Sequence, residues 1–161
     1  MPPNRSPGPA LLAQLQRIHR AMLVGQGVFL IVGFLANYYG NQPDITTRER
    51  QLFWLLGSAG NLLIIGLGFV LFYFQLRQAR KASHPGTKLR RYFLAAVLRL
   101  GLLNGANLFN LYLFMTLGDK LVLGLFVLLL LLFVRYNPSR RQVILQLKLN
   151  PKQAEQLFPS A

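Results

Sequence analysis

The chain has 161 residues, of which 53% are hydrophobic and 14% charged, with a mean hydropathy of +0.36 and a formal net charge of +14. A soluble domain carries about 25% charged residues, so this composition argues against one; the absence of cysteine excludes disulfides, thiolate metal sites and thiol nucleophiles together. The positive charge lies between long apolar blocks, where it fits topology signals and anionic headgroups. No stacking platform or base-reading module accompanies it, so no nucleic-acid partner is expected.

Residues 1–9, "MPPNRSPGP", are proline-rich without a hydrophobic period and are predicted to be a disordered tip. Residues 10–20, "ALLAQLQRIHR", place Leu11, Leu15 and Ile18 on one helical face and predict an interfacial helix, so that 1–20 form a cytosolic lead-in. Four apolar blocks follow at about 21–39, 52–76, 92–117 and 120–136, together a 21–136 transmembrane domain. The first ends in the aromatic anchor Tyr38-Tyr39 and lacks a small-x-small cleavage site, so it is expected to be a retained span. "HPG" at His84–Gly86 is expected to break the basic loop, and "LGDK" at Leu117–Lys120 to make a tight hairpin. In the 137–161 tail, Asn137-Pro138 and Asn150-Pro151 each look like an N-cap followed by proline. Between them "QVILQLKL" alternates like a strand and is equally consistent with a short helix.

The basic residues set an orientation. Arg5, Arg17, Arg20, Arg77, Arg80, Lys81, Lys88, Arg90, Arg91, Arg135, Arg140, Arg141, Lys148 and Lys152 would share one side, against Arg48, Arg50 and Lys120 on the other, where Asp44, Glu49 and Asp119 offset them. The positive-inside rule then predicts cytoplasmic termini in a multi-pass bacterial inner-membrane protein.

The third block, "VLRLGLLNGANLFNLYLF", carries Arg99, Asn104, Asn107 and Asn110 in sequence otherwise fit for lipid. At about 100° per residue, Arg99, Asn107 and Asn110 share a sector of roughly 80°, with Asn104 about 60° beyond. Gly101 and Gly105 are read as a small-xxx-small packing pair beside that stripe. Partners for it are expected from Gln26, Gly33 and Asn37 in the first block, and from Gly57, Ser58, Asn61 and Gly68 in the second. The fourth block offers only Gly124 and is expected to pack from outside. The amides are expected to bond between helices, with a ligand or ion path as the alternative. Arg99, about 12 Å along the axis from Arg91, is expected to snorkel toward cytosolic headgroups, with an anion site as the alternative. His19 and His84 are read as interfacial or solvated residues outside any metal-ligand spacing.

The chain resembles a group of small, uncharacterised four-span bacterial inner-membrane proteins through Arg99, Leu102, Leu103, Gly105 and the segment Leu145–Leu157. That resemblance implies a fold and no activity. Spans two and three, with "RQAR" and "LLNGANLF", also faintly resemble the hairpin of the rotary ATP synthase proteolipid subunit. Asn104 stands where that family's ion-binding carboxylate would fall, so the likeness implies none of its chemistry.

The fold class expected is all-α, an integral membrane four-helix bundle with short cytosolic tails. No nucleophile, acid–base pair, phosphate loop or metal cluster is present in the pattern, so neither enzymatic activity nor a cofactor is expected. The function expected is a structural, accessory or assembly component of the membrane; the alternative is an oligomeric transporter or channel lined by Arg99 and the asparagines. The partners expected are the lipid bilayer, anionic headgroups at the basic face, and a second copy or another membrane subunit.

Overall fold

The computed structural model describes residues 7–40 and 46–159, and every element among them is helical. The order is α1 (Pro7–Tyr39), α2 (Thr47–Arg80), α3 (Pro85–Leu117), α4 (Lys120–Arg135), α5 (Arg140–Leu147) and α6 (Pro151–Leu157). Arg5 and Asp44 of the charge partition, and residues 1–6 of the tip, lie outside the described residues.

The first three helices run well past the apolar blocks. Helix α1 begins at Pro7, where a missing N–H costs nothing, so residues 7–9 are helical and 10–20 belong to the same helix as the first block. The helix expected over 10–20 is thus continuous with the first block, and residues 7–9 of the expected disordered tip are helical. Residues 10–20 hold no glycine or proline to break the helical ladder. Helix α2 opens on a capping box: Thr46 Oγ1 accepts from Glu49 N at 3.3 Å, and Glu49 Oε2 accepts from Thr46 N at 2.9 Å. It closes on Arg77 and Arg80, which favour the negative end of the helix dipole. "HPG" starts α3 rather than interrupting a long loop: Pro85 is its first residue and His84 O accepts from Lys88 N at 3.1 Å. Between α3 and α4, Gly118 takes φ 64°, and Asp119 caps α4 by accepting from Leu121 N at 2.8 Å.

Three helices, Gly8–Tyr39, Thr47–Arg80 and Pro85–Leu117, are long and apolar enough to cross a membrane. Helix α4 has 16 residues, about 24 Å of helix against the roughly 30 Å hydrocarbon core. Among the described residues the chain is thus all-helical, with three helices that have the length and composition of membrane spans, consistent with a multi-pass membrane protein.

The tail is helical. Its first cap is Ser139, which accepts from Gln142 N at 3.3 Å, rather than Asn137. Asn150 caps α6 as its sequence suggests, accepting from Gln153 N at 2.8 Å with Pro151 next. The alternating pattern yields to a helix because Val143 and Leu147, four apart, are both buried, while Leu145 is 64% exposed.

The residues group into two compact units. One comprises 7–20, 69–99 and 137–159 among the described residues. Its core is built from Leu15, Phe72, Leu76, Ala79, Leu89, Tyr92, Val143, Leu147, Leu157 and Phe158. Gln16 Nε2 donates to Pro138 O at 3.0 Å and Arg80 Nε donates to Gln146 O at 2.7 Å, fixing the tail to α1 and α2. Gly8 lies so close to the Leu157 carbonyl that no side chain fits between them.

The other unit comprises 21–40, 46–68 and 100–136. Its apolar cluster joins Leu111, Leu113, Phe114 and Leu117 of α3 to Val122 and Phe126 of α4, with Leu30 of α1 against it. Leu121, Leu128 and Leu131 of α4 are exposed. So are Val24, Val28, Ile31 and Leu35 of α1, and Leu55, Leu62 and Leu63 of α2. An apolar surface on this scale is expected of a lipid-facing protein.

Candidate functional site

Helix α3 supplies the polar residues. Leu103, Asn107, Asn110, Phe114 and Leu117 follow one another at three- and four-residue steps and are all buried. The asparagines therefore occupy core positions of the most enclosed helix. In the apolar stretches of the long helices, the buried share rises from 11% in α1 to 22% in α2 and 44% in α3.

Two neighbours meet them. In α1, Gln26 and Gly33 are buried, seven residues apart, and Gln26 has no exposed surface. Gln26 Nε2 donates to Asn104 Oδ1 at 2.7 Å, and Asn107 Nδ2 donates to Gln26 Oε1 at 2.8 Å. One glutamine amide thus bridges two asparagines a turn apart on α3. In α2, Gly57, Asn61 and Gly68 are buried, and Asn61 Nδ2 donates to Asn110 Oδ1 in a short contact. Farther along, Asn37 Nδ2 donates to Phe114 O at 2.9 Å. That carbonyl belongs to the last turn of α3 and also accepts from Gly118 N at 2.9 Å, so the asparagine adds a second donor near the helix end.

Asn61 Oδ1, Asn107 Oδ1 and Asn110 Nδ2 are buried without a hydrogen-bond partner among the described residues. Each such atom costs roughly 1–3 kcal/mol. Amides donate and accept without titrating. This constellation can set helix register and hold a neutral polar group, and it cannot relay a proton by itself.

The glycines divide. A Cβ on Gly57 would collide with a Leu113 methyl, one on Gly33 would lie 3.0 Å from Leu111 Cδ1, and one on Gly68 would lie 3.4 Å from Leu102 Cβ. Gly101 and Gly105 are different: a Cβ on either meets nothing within 4 Å. This corrects their reading as a packing pair beside the polar stripe. They lie about 200° and 240° round the helix from Arg99, nearly opposite Asn107 and Asn110, on the face that exposes Phe109 and Tyr112.

Arg99 belongs to the unit that contains the tail, and the amides belong to the other. Arg99 is only 5% exposed, so its side chain is enclosed by protein instead of snorkelling into headgroups. Its guanidinium carbon lies 3.9 Å from the Phe72 ring centroid, and Phe72 meets Tyr92 edge-on at 6.2 Å. The reason is register: Leu89, Tyr92, Ala96 and Arg99 fall on one face of α3, and all are buried. His19 is likewise buried, at 2% exposure, four residues after Leu15 on the inner face of α1, which corrects its reading as interfacial or solvated. The same three- and four-residue steps in the sequence carried the signal for both. His84 is exposed. Among the described residues no group of histidine, aspartate or glutamate is arranged to hold a metal ion.

A concavity of about 320 Å³ flanks the glutamine bridge, lined by Ala21, Met22, Gly25, Gln26, Phe29, Asn104 and Leu108. Another of about 430 Å³ is lined by Phe34, Asn37, Tyr38, Phe114, Gly118, Lys120 and Leu123. Both have mainly apolar walls.

Gln26→Leu should destabilise more than Asn104→Leu. The first leaves Asn104 Oδ1 and Asn107 Nδ2 both without their partner, the second only one arm of Gln26. Hydrogen bonds between membrane helices average about 0.6 kcal/mol and reach about 1.7, so the glutamine change should cost about 1–3 kcal/mol with the lost burial. Unfolding in mild detergent measures the order, and equal costs would deny the bridging role.

Compared with known proteins, the chain matches no family model, no curated protein and no solved structure.

Proposed function

We propose that the chain is a four-span bacterial inner-membrane protein with both termini in the cytoplasm, acting as a non-enzymatic structural, accessory or assembly component. The observation that carries this reading is the mutual use of the intramembrane amides. Gln26, Asn104 and Asn107 bond to one another, and Asn61 to Asn110. Polar groups so used serve helix-to-helix specificity. Helix α4 is the fourth span in this reading. Its 16 residues cross by local thinning and snorkelling of the flanking Lys120 and Arg135, at a cost of a fraction of a kcal/mol per Å of mismatch. The fourteen-to-three partition of basic residues supports the orientation.

Reporter fusions after Tyr39, His84, Gly118 and Ala161 should read periplasm, cytoplasm, periplasm, cytoplasm. Purification in mild detergent should then retain a stoichiometric membrane partner or a second copy. A periplasmic C-terminus would overturn the orientation, and a monodisperse monomer without partners would remove support for an accessory role.

The second reading is an oligomeric transporter or channel for a polar solute, lined by the asparagines of α3. The buried Asn61 Oδ1, Asn107 Oδ1 and Asn110 Nδ2, lacking partners among the described residues, favour it. Solute flux in proteoliposomes that disappears on Asn107→Leu would select it over the first.

A further inference from the structure

The tail helix α5 has two unlike faces. Val143 and Leu147 point into the core of its unit, and the carbonyl of Gln146 accepts from Arg80. The other face is set by Arg141, Ile144 and Leu145, at positions i, i+3 and i+4, and Lys148 follows as the left-handed cap that ends the helix. Leu145 is 64% exposed, and Arg141 and Lys148 are exposed on either side. Arg140 forms the adjoining wall, tied by Nη2 to Phe158 O at 2.6 Å. Arg140, Arg141, Ile144 and Leu145 line a shallow concavity of about 380 Å³.

We infer that this outward face of α5 is a docking surface for anionic phospholipid headgroups, with Ile144 and Leu145 entering the acyl boundary and Arg141 and Lys148 meeting phosphates. The inference rests on the membrane reading above and gives it a specific lipid site. Two observations select the occupant. The first is charge: from Lys120 to Ala154 the chain has no acidic residue, while Arg135, Arg140, Arg141 and Lys148 are all basic. Two apolar side chains flanked by cations are the pattern of a helix lying in an anionic interface. The second is tether length. Helix α4 ends at Arg135 and α5 starts at Arg140, and four intervening residues span at most about 14 Å. In the membrane reading so short a tether leaves the headgroup layer within reach of α5, and there a basic face concentrates anionic lipid.

The chain has no cysteine, so a single introduced thiol reports one position. Leu145→Cys, Leu128→Cys and Lys152→Cys, each in the full chain, carry an environment-sensitive fluorophore into nanodiscs of phosphatidylcholine alone or mixed with phosphatidylglycerol. At position 145, protection from a water-soluble quencher should rise about fivefold with anionic lipid, and Arg141→Gln should remove most of that gain. Position 152 should stay accessible, and position 128 protected in both lipids. If 145 is equally accessible in both lipids while 128 is protected, the docking surface is wrong and the membrane reading stands. If 128 is accessible as well, the membrane reading falls and takes this inference with it. Equal protection of 145 in both lipids overturns the anionic site; energy transfer between labels would then place a second copy on the face.

Discussion

Gly57→Leu should loosen α2 from α3 and lower stability in detergent by about 3 kcal/mol or more, whereas Gly105→Leu should leave it within about 0.5 kcal/mol of the parent. At Gly57 even a Cβ overlaps a methyl of Leu113, and leucine adds three further carbons. Leu113 has little room to yield, being 3% exposed in a cluster with Leu111, Phe114, Leu117, Val122 and Phe126. Close-packed interiors transmit such an insertion to the backbone. At Gly105, and at Gly101, the added side chain enters open space. Unfolding by heat or by denaturing detergent gives the ranking. A Gly105→Leu protein less stable than Gly57→Leu would mean that Gly105, and not Gly57, faces a neighbouring helix.

The arginine series should rank Arg99→Ala as the most damaging, Arg99→Lys next and Arg99→Leu the least. Arg99 lies under the Phe72 ring with 5% of its surface exposed. Alanine forfeits the cation–ring attraction, about 0.5–2 kcal/mol, and leaves a cavity, for a total of about 3 kcal/mol. Lysine keeps a charge buried and loses the planar group that stacks on the ring. Leucine fills part of the volume and removes the need to keep an ion out of water. An arginine extended into headgroups would give another order, with lysine close to the parent and alanine nearly harmless. Thermal unfolding of the three variants in one detergent separates the two descriptions, and that second order would sink the buried placement.

Long apolar blocks make the helical class readable, because twenty residues without a charge admit few other structures. The faces of α1 and α2 were also readable, since each has few polar or small residues and they recur at helical steps: Gln26 and Gly33, then Gly57, Asn61 and Gly68. Asn104, Asn107 and Asn110 could be set on one side of α3 by the same arithmetic, and they meet Gln26 and Asn61 there. Gly101 and Gly105 were misplaced because small-residue spacing says two residues share a face without saying which face meets a neighbour. Arg99 and His19 were misjudged for a different reason. Charge or polarity alone points such residues outward, whereas Leu89, Tyr92 and Ala96, or Leu15, fix the inward side of their helices. The ends of the helices were unreadable from hydropathy alone, since polar residues prolong a helix as readily as apolar ones once other segments pack on it. The tail needed α1 and α2 to decide it: Val143 and Leu147 become the inner side only when there is a surface to cover.

The amide contacts of α3 also order events in time. Gln26, Asn37 and Asn61 belong to helices made first, and their partners Asn104, Phe114 and Asn110 all belong to a helix made later. When α2 leaves the ribosome, the polar groups of the first hairpin have nothing from α3 to bind. Until α3 is made, the amides of α1 and α2 lack the partners that α3 supplies, and a polar group without a partner is costly wherever water is excluded. Arrival of α3 supplies the bonding partners of Gln26, Asn37 and Asn61 from a single helix, so the contacts of α1 and those of α2 are completed by the same late segment.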